Sequence, residues 1–331
     1  MENIMTFIGG HWMIIAFLAP FFWSLVNIID VYFVDGVYND AVEGSVIYGI
    51  FQILPWPILL MFVNIGPIDI HAVGALGHVF GLDAVLFLSL FGGVMYAIGN
   101  FFYFQALFSV NDAPMMQILW SLSVVVVPFL SFVIFREQLP FLGYVGAVVT
   151  LLGTVILSMS SKLRNRMSPR YAFKVLGAVL LLSLSMIMES QAYGYLNASY
   201  AGKGFWIGFL SFEVGIFLFG FCLAVIFRRN PFPVILKYYK VFILGEGLYF
   251  LGTIASQKAL DFAPSASYVA VIEAFVPIFI MMNSLIILVV SAKILKNRSA
   301  NIGRIYREQV DGIWIKVLAT AVMAVGVFLI S

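Results

Sequence analysis

The chain has 331 residues, of which 63% are hydrophobic and only 10% are charged. Soluble globular domains carry roughly 25% charged residues, so this composition could not cover a soluble surface. It therefore excludes a separate soluble domain and predicts a single integral membrane protein.

A hydrocarbon core about 30 Å thick requires roughly 20 mostly apolar residues per spanning helix. By that rule the sequence predicts an all-α fold with ten transmembrane helices. Helices are favoured over a β-barrel because the apolar runs are long and continuous. The predicted spans are residues 13–34, 45–64, 83–108, 114–135, 141–160, 172–197, 204–227, 241–260, 265–292 and 312–330.

The sequence contains an internal duplication. The segment G-G-V-M-Y-A-I-G-N-F-F-Y-F-Q-A-L, from Gly92 to Leu107, matches G-E-G-L-Y-F-L-G-T-I-A-S-Q-K-A-L, from Gly245 to Leu260, without a gap. A weaker match at a second constant offset relates residues 13–64 to 172–227. The aligned pairs are Tyr96 with Tyr249, Gly99 with Gly252, Ala106-Leu107 with Ala259-Leu260, Ser24 with Ser183, Asp30 with Glu189 and Gly49 with Gly208.

These matches divide the chain into a first five-helix repeat at 1–165 and a second at 166–331, with a basic insertion at 293–306. An odd number of helices per repeat makes the second half cross the membrane in the opposite sense. Such inverted-topology repeats are the plan of many secondary transporters, which bind their substrate near the midplane between the repeats. We expect the insertion to be an exposed loop or a short surface helix.

Basic residues are unevenly divided between the two predicted membrane faces. Fifteen of the 18 Lys and Arg residues fall in or beside odd-numbered loops and three beside even-numbered ones. The positive-inside rule therefore predicts odd loops in the cytoplasm and both termini outside. The first loop is an exception because it is acidic, with Asp35, Asp40 and Glu43.

Short motifs recur in the same order in both halves, and together they resemble the drug/metabolite transporter superfamily, specifically its EamA-type ten-helix permeases. The resemblance implies a transporter of small metabolites in a prokaryotic cell (inner) membrane. It also implies that both termini are cytoplasmic, which is the reverse of the orientation predicted from the basic residues. The motifs are Ala106-Leu107, Ala113-Pro114, Pro128, Arg136-Glu137 and Gly146…Gly153, then Ala259-Leu260, Ala263-Pro264, Pro277, Arg307-Glu308 and Gly326.

Five acidic residues lie in or near predicted spans. Ionisable residues inside a bilayer are costly, so each is a candidate for binding substrate or a proton. No Lys or Arg is predicted deep in a span, which argues against phosphorylated substrates and favours an amine-bearing or neutral substrate, proton coupling, or both. The alternative for each acid is a permanently protonated side chain bonded to a neighbouring helix. The candidates are Asp30, Glu189, Glu213, Glu246 and Glu273.

Uncharged candidates complete the predicted site. Asn100 and Gln105 could bind substrate or join two helices. Trp23, Trp120 and Tyr249 could line a cavity, and the alternative is that they only pack or sit at the membrane interface. Glu273 is four residues before Pro277, which has no N–H to bond the carbonyl of Glu273.

The sequence thus predicts a secondary active transporter of a small organic metabolite, working by alternating access and with proton coupling left open. Two alternatives remain: a flippase for a lipid-linked substrate and, less favoured, a polytopic enzyme that modifies lipids. No catalytic motif is recognised, and no enzyme activity, cofactor, metal ion or nucleic acid is expected. The fifth and tenth helices would brace the fold or pair two protomers as a homodimer.

Overall fold

The computed structural model describes residues 12–63, 65, 78–79, 82–110, 122–159, 169–200, 202–293 and 313–330. Within these ranges the chain is built from α-helices, with one pair of two-residue antiparallel strands, β1 (His78–Val79) and β2 (Leu82–Asp83). The helices are α1 (Trp12–Gly36), α2 (Ala41–Ile53), α3 (Trp56–Phe62), α4 (Ala84–Val110), α5 (Ser123–Phe135), α6 (Phe141–Met159), α7 (Pro169–Ser199), α8 (Gly204–Ile226), α9 (Phe232–Phe262), α10 (Ala266–Glu273), α11 (Val276–Lys293) and α12 (Ile313–Ile330).

The described helices expose apolar side chains and bury acidic ones, which is the reverse of a soluble protein. Phe62 is 83% exposed and Trp314 82%, whereas Glu189 and Glu213 are fully buried. Six helical spans are long and apolar enough to cross a membrane. The predicted all-α integral membrane protein is confirmed at this level.

Two predicted spans are interrupted in the structure. The span predicted at 45–64 is divided between α2 and α3 at Leu54-Pro55, and the span predicted at 265–292 is divided between α10 and α11 at Ala274-Phe275. Proline explains both breaks, because it donates no backbone hydrogen bond and its ring clashes with the preceding turn. Both predicted spans remain long and apolar enough to cross a membrane, as Ala41–Phe62 and Ala266–Ile286, and the structure adds an interruption within each.

The predicted eighth span, 241–260, was too short. Helix α9 begins at Phe232 and bends at Tyr238, whose backbone angles are not helical (φ −116°, ψ 18°). Lys237 and Lys240, which we assigned to a loop, therefore lie on the helix. Hydropathy marks the part of a helix that suits the hydrocarbon core, not the point where the helix ends. Helix α4 continues to Val110, into the loop predicted at 109–113. Residues 111–113 of that loop, most of the insertion at 293–306, and Arg307-Glu308 lie outside the described residues.

Glycines bring helices together at positions that the sequence alignment pairs. A Cβ on Gly99 of α4 would lie 2.7 Å from Cγ of Leu182 on α7, and a Cβ on Gly252 of α9 would lie 2.6 Å from Cδ1 of Trp23 on α1. Small residues allow such close approach in membranes. Gly99 aligns with Gly252, and Leu182 with Trp23, so the two helix contacts are equivalent.

Helices α6 and α12 pack on each other through a second pair of glycines. A Cβ on Gly146 would lie 2.6 Å from the carbonyl oxygen of Gly326, and a Cβ on Gly326 would lie 2.7 Å from that of Gly146. The contact joins the last helix of each predicted repeat within one chain. These two helices therefore brace each other within one chain, and pairing of two protomers stays a prediction.

An ion pair joins two distant connecting segments. Arg229, just after α8, pairs with Asp40, which caps the N-terminus of α2 by accepting a bond from the backbone N–H of Glu43. Both partners are more than a third exposed, so the pair adds little stability. It does provide a basic partner for the acidic first loop, which was the exception in the charge pattern.

We predict that Gly146→Ala lowers the stability of the protein, because the added methyl group collides with the backbone of α12. Overpacking of this kind costs about 1–3 kcal/mol. Gly194→Ala is the matched control, since Gly194 is helical and has nothing within 4 Å of the added methyl group. That control should be neutral or slightly stabilising. Equilibrium unfolding in mixed micelles measures both, and equal stabilities would contradict the packing described.

We also predict that a short bismaleimide cross-links Asp40→Cys to Arg229→Cys in a Cys222→Ser background, because the two native side chains are in contact. Lys203→Cys replaces Arg229→Cys in the control pair. Lys203 and Arg229 flank opposite ends of α8, whose 23 residues span about 35 Å. Gel mobility and mass spectrometry detect the product. A cross-link to position 203, or none to position 229, would contradict the structure.

Candidate functional site

Two narrow cavities meet inside the helix bundle, and Trp23 and Tyr96 line both of them. Both cavities are small: the Glu273 cavity has a volume of about 20 Å³ and the Asp30 cavity of about 30 Å³, which is room for one or two water molecules. The Glu273 cavity is lined by Trp23, Tyr96, Ser123, Val179, Leu182, Ser183, Ser185, Met186, Ser256, Gln257 and Glu273. The Asp30 cavity is lined by Trp23, Val26, Asn27, Asp30, Tyr96, Asn100, Tyr103, Tyr249 and Val276.

A hydrogen bond between two tyrosines lies at the shared wall. The hydroxyl oxygens of Tyr96 and Tyr249 are 2.5 Å apart, and either hydroxyl could be the donor. Each residue lies near the middle of its helix, α4 or α9, and the two occupy equivalent positions in the sequence alignment. The ring of Phe212 packs on Tyr96 and that of Tyr48 on Tyr249. The bond therefore joins the centres of the two matching helices.

The Asp30 cavity combines carboxyl, amide and aromatic groups. The Tyr103 hydroxyl lies 2.7 Å from Oδ1 of Asn27 and 3.1 Å from Oδ2 of Asp30, and it can donate to either. Nδ2 of Asn100 is buried without a hydrogen-bond partner among the described residues. Glu246 on α9 lies close to Asp30. The cavity thus presents an unused donor beside two acids, and aromatic faces that attract cations.

The Glu273 cavity holds an acid at the break between two helices. Glu273 is the last residue of α10, and its Oε1 accepts a 2.6 Å bond from the Ser256 hydroxyl of α9. Gln257 lines the same wall, and its Oε1 accepts a 2.8 Å bond from Tyr193 on α7. Discontinuous helices form the binding sites of many transporters because their ends leave backbone groups available to a ligand.

Glu189 and Glu213 form a separate pair that lines neither cavity. Oε2 of Glu189 accepts a 2.7 Å bond from Ser89, and Oε1 lies against Gly92. Glu213, on the adjacent helix α8, is fully buried, and neither of its carboxyl oxygens has a partner among the described residues. The neighbouring Gly93 packs on the backbone of Phe212, which brings α4, α7 and α8 together at this point.

The structure brings most of the predicted site residues together. Trp23, Asp30, Asn100, Tyr249 and Glu273 line the cavities, and Glu246 lies beside Asp30. Glu189 and Glu213 stand apart as a pair, as described above.

Two predicted site residues do not join the cavities. Gln105 lies near the C-terminus of α4 and lines neither one; its backbone oxygen accepts a bond from Lys174. Trp120 lies outside the described residues.

Sequence reasoning missed Asn27 and Tyr103, although the pattern contains them. Trp23, Asn27 and Asp30 are spaced i, i+4 and i+7, and so are Tyr96, Asn100 and Tyr103. Residues at this spacing share one face of a helix. Each helix therefore carries a stripe of polar and aromatic residues along one face, and this pattern would have identified Asn27 and Tyr103. Within the described ranges, no group of three or more His, Cys, Asp or Glu could hold a metal ion.

No protein-family model and no curated protein matches the chain. A solved crystal structure does: it aligns with a TM-score of 0.61 at 15% sequence identity, covering 97% of this chain and 96% of its own. At that identity the likeness shows the fold alone. Because the alignment extends over nearly the full length of both chains, the whole arrangement of helices is one that a solved structure shares.

We predict that the Tyr96–Tyr249 hydrogen bond shows strong coupling in a double-mutant cycle. Tyr96→Phe and Tyr249→Phe should each cost about 1–3 kcal/mol, because each leaves a buried hydroxyl unpaired. The double variant should cost little more than either single variant. Unfolding in mixed micelles gives the three values, with Tyr239→Phe, at an exposed position, as the control. Additive costs would show that the two hydroxyls do not depend on each other.

Proposed function

We propose that the chain is a secondary active transporter of a small organic metabolite, working by alternating access, and that its substrate is amine-bearing or neutral. The observation that carries this proposal is the pair of acid-lined cavities between mid-helix residues of a bundle that is apolar outside. Transporters hold substrate at this depth, between their repeats. We place the protein in a prokaryotic inner membrane on the resemblance to EamA-type permeases.

Three contacts support a plan of ten spanning helices in two inverted repeats. Tyr96 bonds to Tyr249, its aligned partner. The Gly99 contact with α7 is equivalent to the Gly252 contact with α1, as noted above. The last helices of the two halves meet at Gly146 and Gly326. Contacts between equivalent positions are expected at a two-fold axis, and a two-fold axis in the membrane plane relates inverted repeats.

Neither cavity is large enough for a metabolite in this conformation, so transport requires helices to move. The breaks in the described helices supply places for such movement. Leu54-Pro55 separates α2 from α3, and Ala274-Phe275 separates α10 from α11 beside Glu273. Hinges in proteins are a few residues at element ends that absorb backbone rotation. Bending at Ala274-Phe275 would move Glu273 relative to Ser256 and so change the cavity wall.

The chemistry of the cavities favours an amine over an anion. Asp30, Glu246 and Glu273 supply carboxyl groups, and among the described lining residues there is no Lys or Arg to bind a phosphate or carboxylate. Trp23 and the tyrosines around it add faces that attract a cation. A neutral, hydrogen-bonding substrate would fit if the acids are protonated.

The location of the polar groups favours transport over lipid chemistry. A lipid-modifying enzyme places its reactive groups at the membrane interface, close to headgroups. Here Trp23, Tyr96 and Tyr249 lie near the middles of α1, α4 and α9. A lipid-linked flippase remains the second candidate, and the ligand screen below distinguishes it.

We predict that one class of small molecule, amines or neutral metabolites, raises the melting temperature of the detergent-purified protein. A ligand at 100 times its Kd stabilises the folded state by about 2.7 kcal/mol. Glu273→Gln and Asp30→Asn should weaken that effect, since a hydrogen bond to a charged group is worth about 1.5–3 kcal/mol. The panel contains amines, amino acids, nucleosides, sugars and sugar phosphates.

Glu43→Gln is the matched control, because Glu43 is a buried acid that accepts bonds from Asn39 and lines neither cavity. Its response to the ligand should equal that of the wild type. Counterflow of the stabilising compound into proteoliposomes then tests transport directly. Stabilisation by sugar phosphates alone would contradict the proposed substrate class, and no response to any class would favour the flippase.

A further inference from the structure

The Glu189–Glu213 pair lines neither cavity and has no part in the proposed substrate site. Glu189 projects from α7 and Glu213 from α8, and both helices pack at the adjacent glycines Gly92 and Gly93 of α4. A Cβ at position 92 would collide with Oε1 of Glu189. A glycine is therefore needed there to make room for the carboxyl group.

The carboxyl oxygens of this pair have unused bonding capacity. Oε1 of Glu189 and both oxygens of Glu213 are buried without a hydrogen-bond partner among the described residues. Both side chains are fully buried. Buried polar atoms in folded proteins nearly always have partners, so three such oxygens in one place indicate a ligand that supplies bonds.

No positive charge balances the pair within the described part of the chain. The titratable side chains nearby are tyrosines: Tyr193 on α7, Tyr96 on α4 and Tyr48 on α2. On α9 the facing charges are Lys258 and Asp261, which pair with each other at 2.5 Å. Two adjacent carboxylates cannot both stay ionised in such a site. A bound cation, either a proton or a metal ion, would offset the negative charge of the pair.

We propose that Glu189 and Glu213 together form a proton-binding site that holds one shared proton. A proton fits better than a metal ion because the described residues supply no third acidic, histidine or cysteine ligand at the pair. The two carboxyl groups interact electrostatically, so one proton held at either of them relieves the repulsion between two negative charges. Carboxyl dyads in which two acids share one proton are an established arrangement.

A hydrogen bond links this site to the Glu273 cavity. Tyr193 follows Glu189 by one helical turn, and its hydroxyl lies next to the Glu189 carboxyl. The same hydroxyl donates to Oε1 of Gln257, which lines the cavity. A change in the charge of the pair therefore reaches the cavity wall through one side chain. Coupling of this proton to substrate binding rests on the proposed transport function. The existence of the proton site does not.

The test counts protonated carboxyl groups by infrared spectroscopy on the purified protein without any substrate. The carbonyl stretch of a neutral carboxylic acid is separate from that of a carboxylate and shifts in deuterated water. We expect the Glu189→Gln/Glu213→Gln double variant to lose the intensity of one neutral carboxyl per chain. A loss of two would mean that both acids are permanently neutral, and no loss would mean that both are ionised. Either result overturns the proposal.

Control variants keep the interpretation clear. Tyr239→Phe, at an exposed position outside the pair, should leave the neutral-carboxyl intensity unchanged. If the double variant elutes as an aggregate, the Glu189→Gln and Glu213→Gln single variants replace it. If both single variants keep the neutral-carboxyl intensity of the wild type, the pair shares one proton. Loss of that intensity in either single variant would overturn the proposal. Exchange of sodium chloride for choline chloride should leave the spectrum unchanged, and a change would assign the site to Na⁺.

Tyr193→Phe tests the link to the cavity. We expect the proton of the pair to exchange with deuterated water more slowly than in the wild type, because the hydroxyl that connects the pair to Gln257 is missing. Tyr195→Phe, on the same helix, should exchange at the wild-type rate. Equal rates in both variants would overturn the link. A negative ligand screen combined with a positive carboxyl count would reject the transport function and retain the proton site.

Discussion

Burying acids in a membrane, with no basic partner among the residues that the structure describes, is the constraint on which the rest of this structure depends. Glu189 and Glu213 are fully buried, and Asp30, Glu246 and Glu273 nearly so. Each charge would be costly in hydrocarbon, so the bundle must surround the acids with protein. Hydroxyl groups supply the bonds: Ser89 to Glu189, Tyr103 to Asp30 and Ser256 to Glu273. The apolar outer surface and the polar interior are two results of this one constraint.

Glycine residues allow the helices to pack closely enough to enclose the buried acids. Helices in a bilayer gain little from the hydrophobic effect, so they associate by close packing and hydrogen bonds. Gly92 and Gly93 admit the Glu189 side chain and the backbone of α8 against α4, while Gly99 and Gly252 repeat one contact in the two halves. The same residue type therefore shapes both the acid pair and the framework that holds the cavities.

The sequence was sufficient for the membrane class and the positions of most helices, because apolar length is a strong signal. It also identified five of the six buried acids among the described residues, the exception being Glu43. It did not separate Glu189 and Glu213 from the cavity acids, since that distinction depends on which helices meet. Asn27 and Tyr103 were missed because no single residue marks a cavity face. The breaks at Leu54-Pro55 and Ala274-Phe275 were missed because proline inside a membrane helix often only bends it.

The Asp40–Arg229 contact has a consequence for how the chain is made. The two residues are 189 positions apart, so the acidic first loop leaves the ribosome long before its basic partner exists. Lys and Arg near helix ends determine orientation during insertion, and Asp and Glu contribute little. The first helices thus enter the membrane with a weak charge signal. Most of the Lys and Arg residues that determine the orientation of the protein in the membrane lie in its second half, so they are synthesised late in translation.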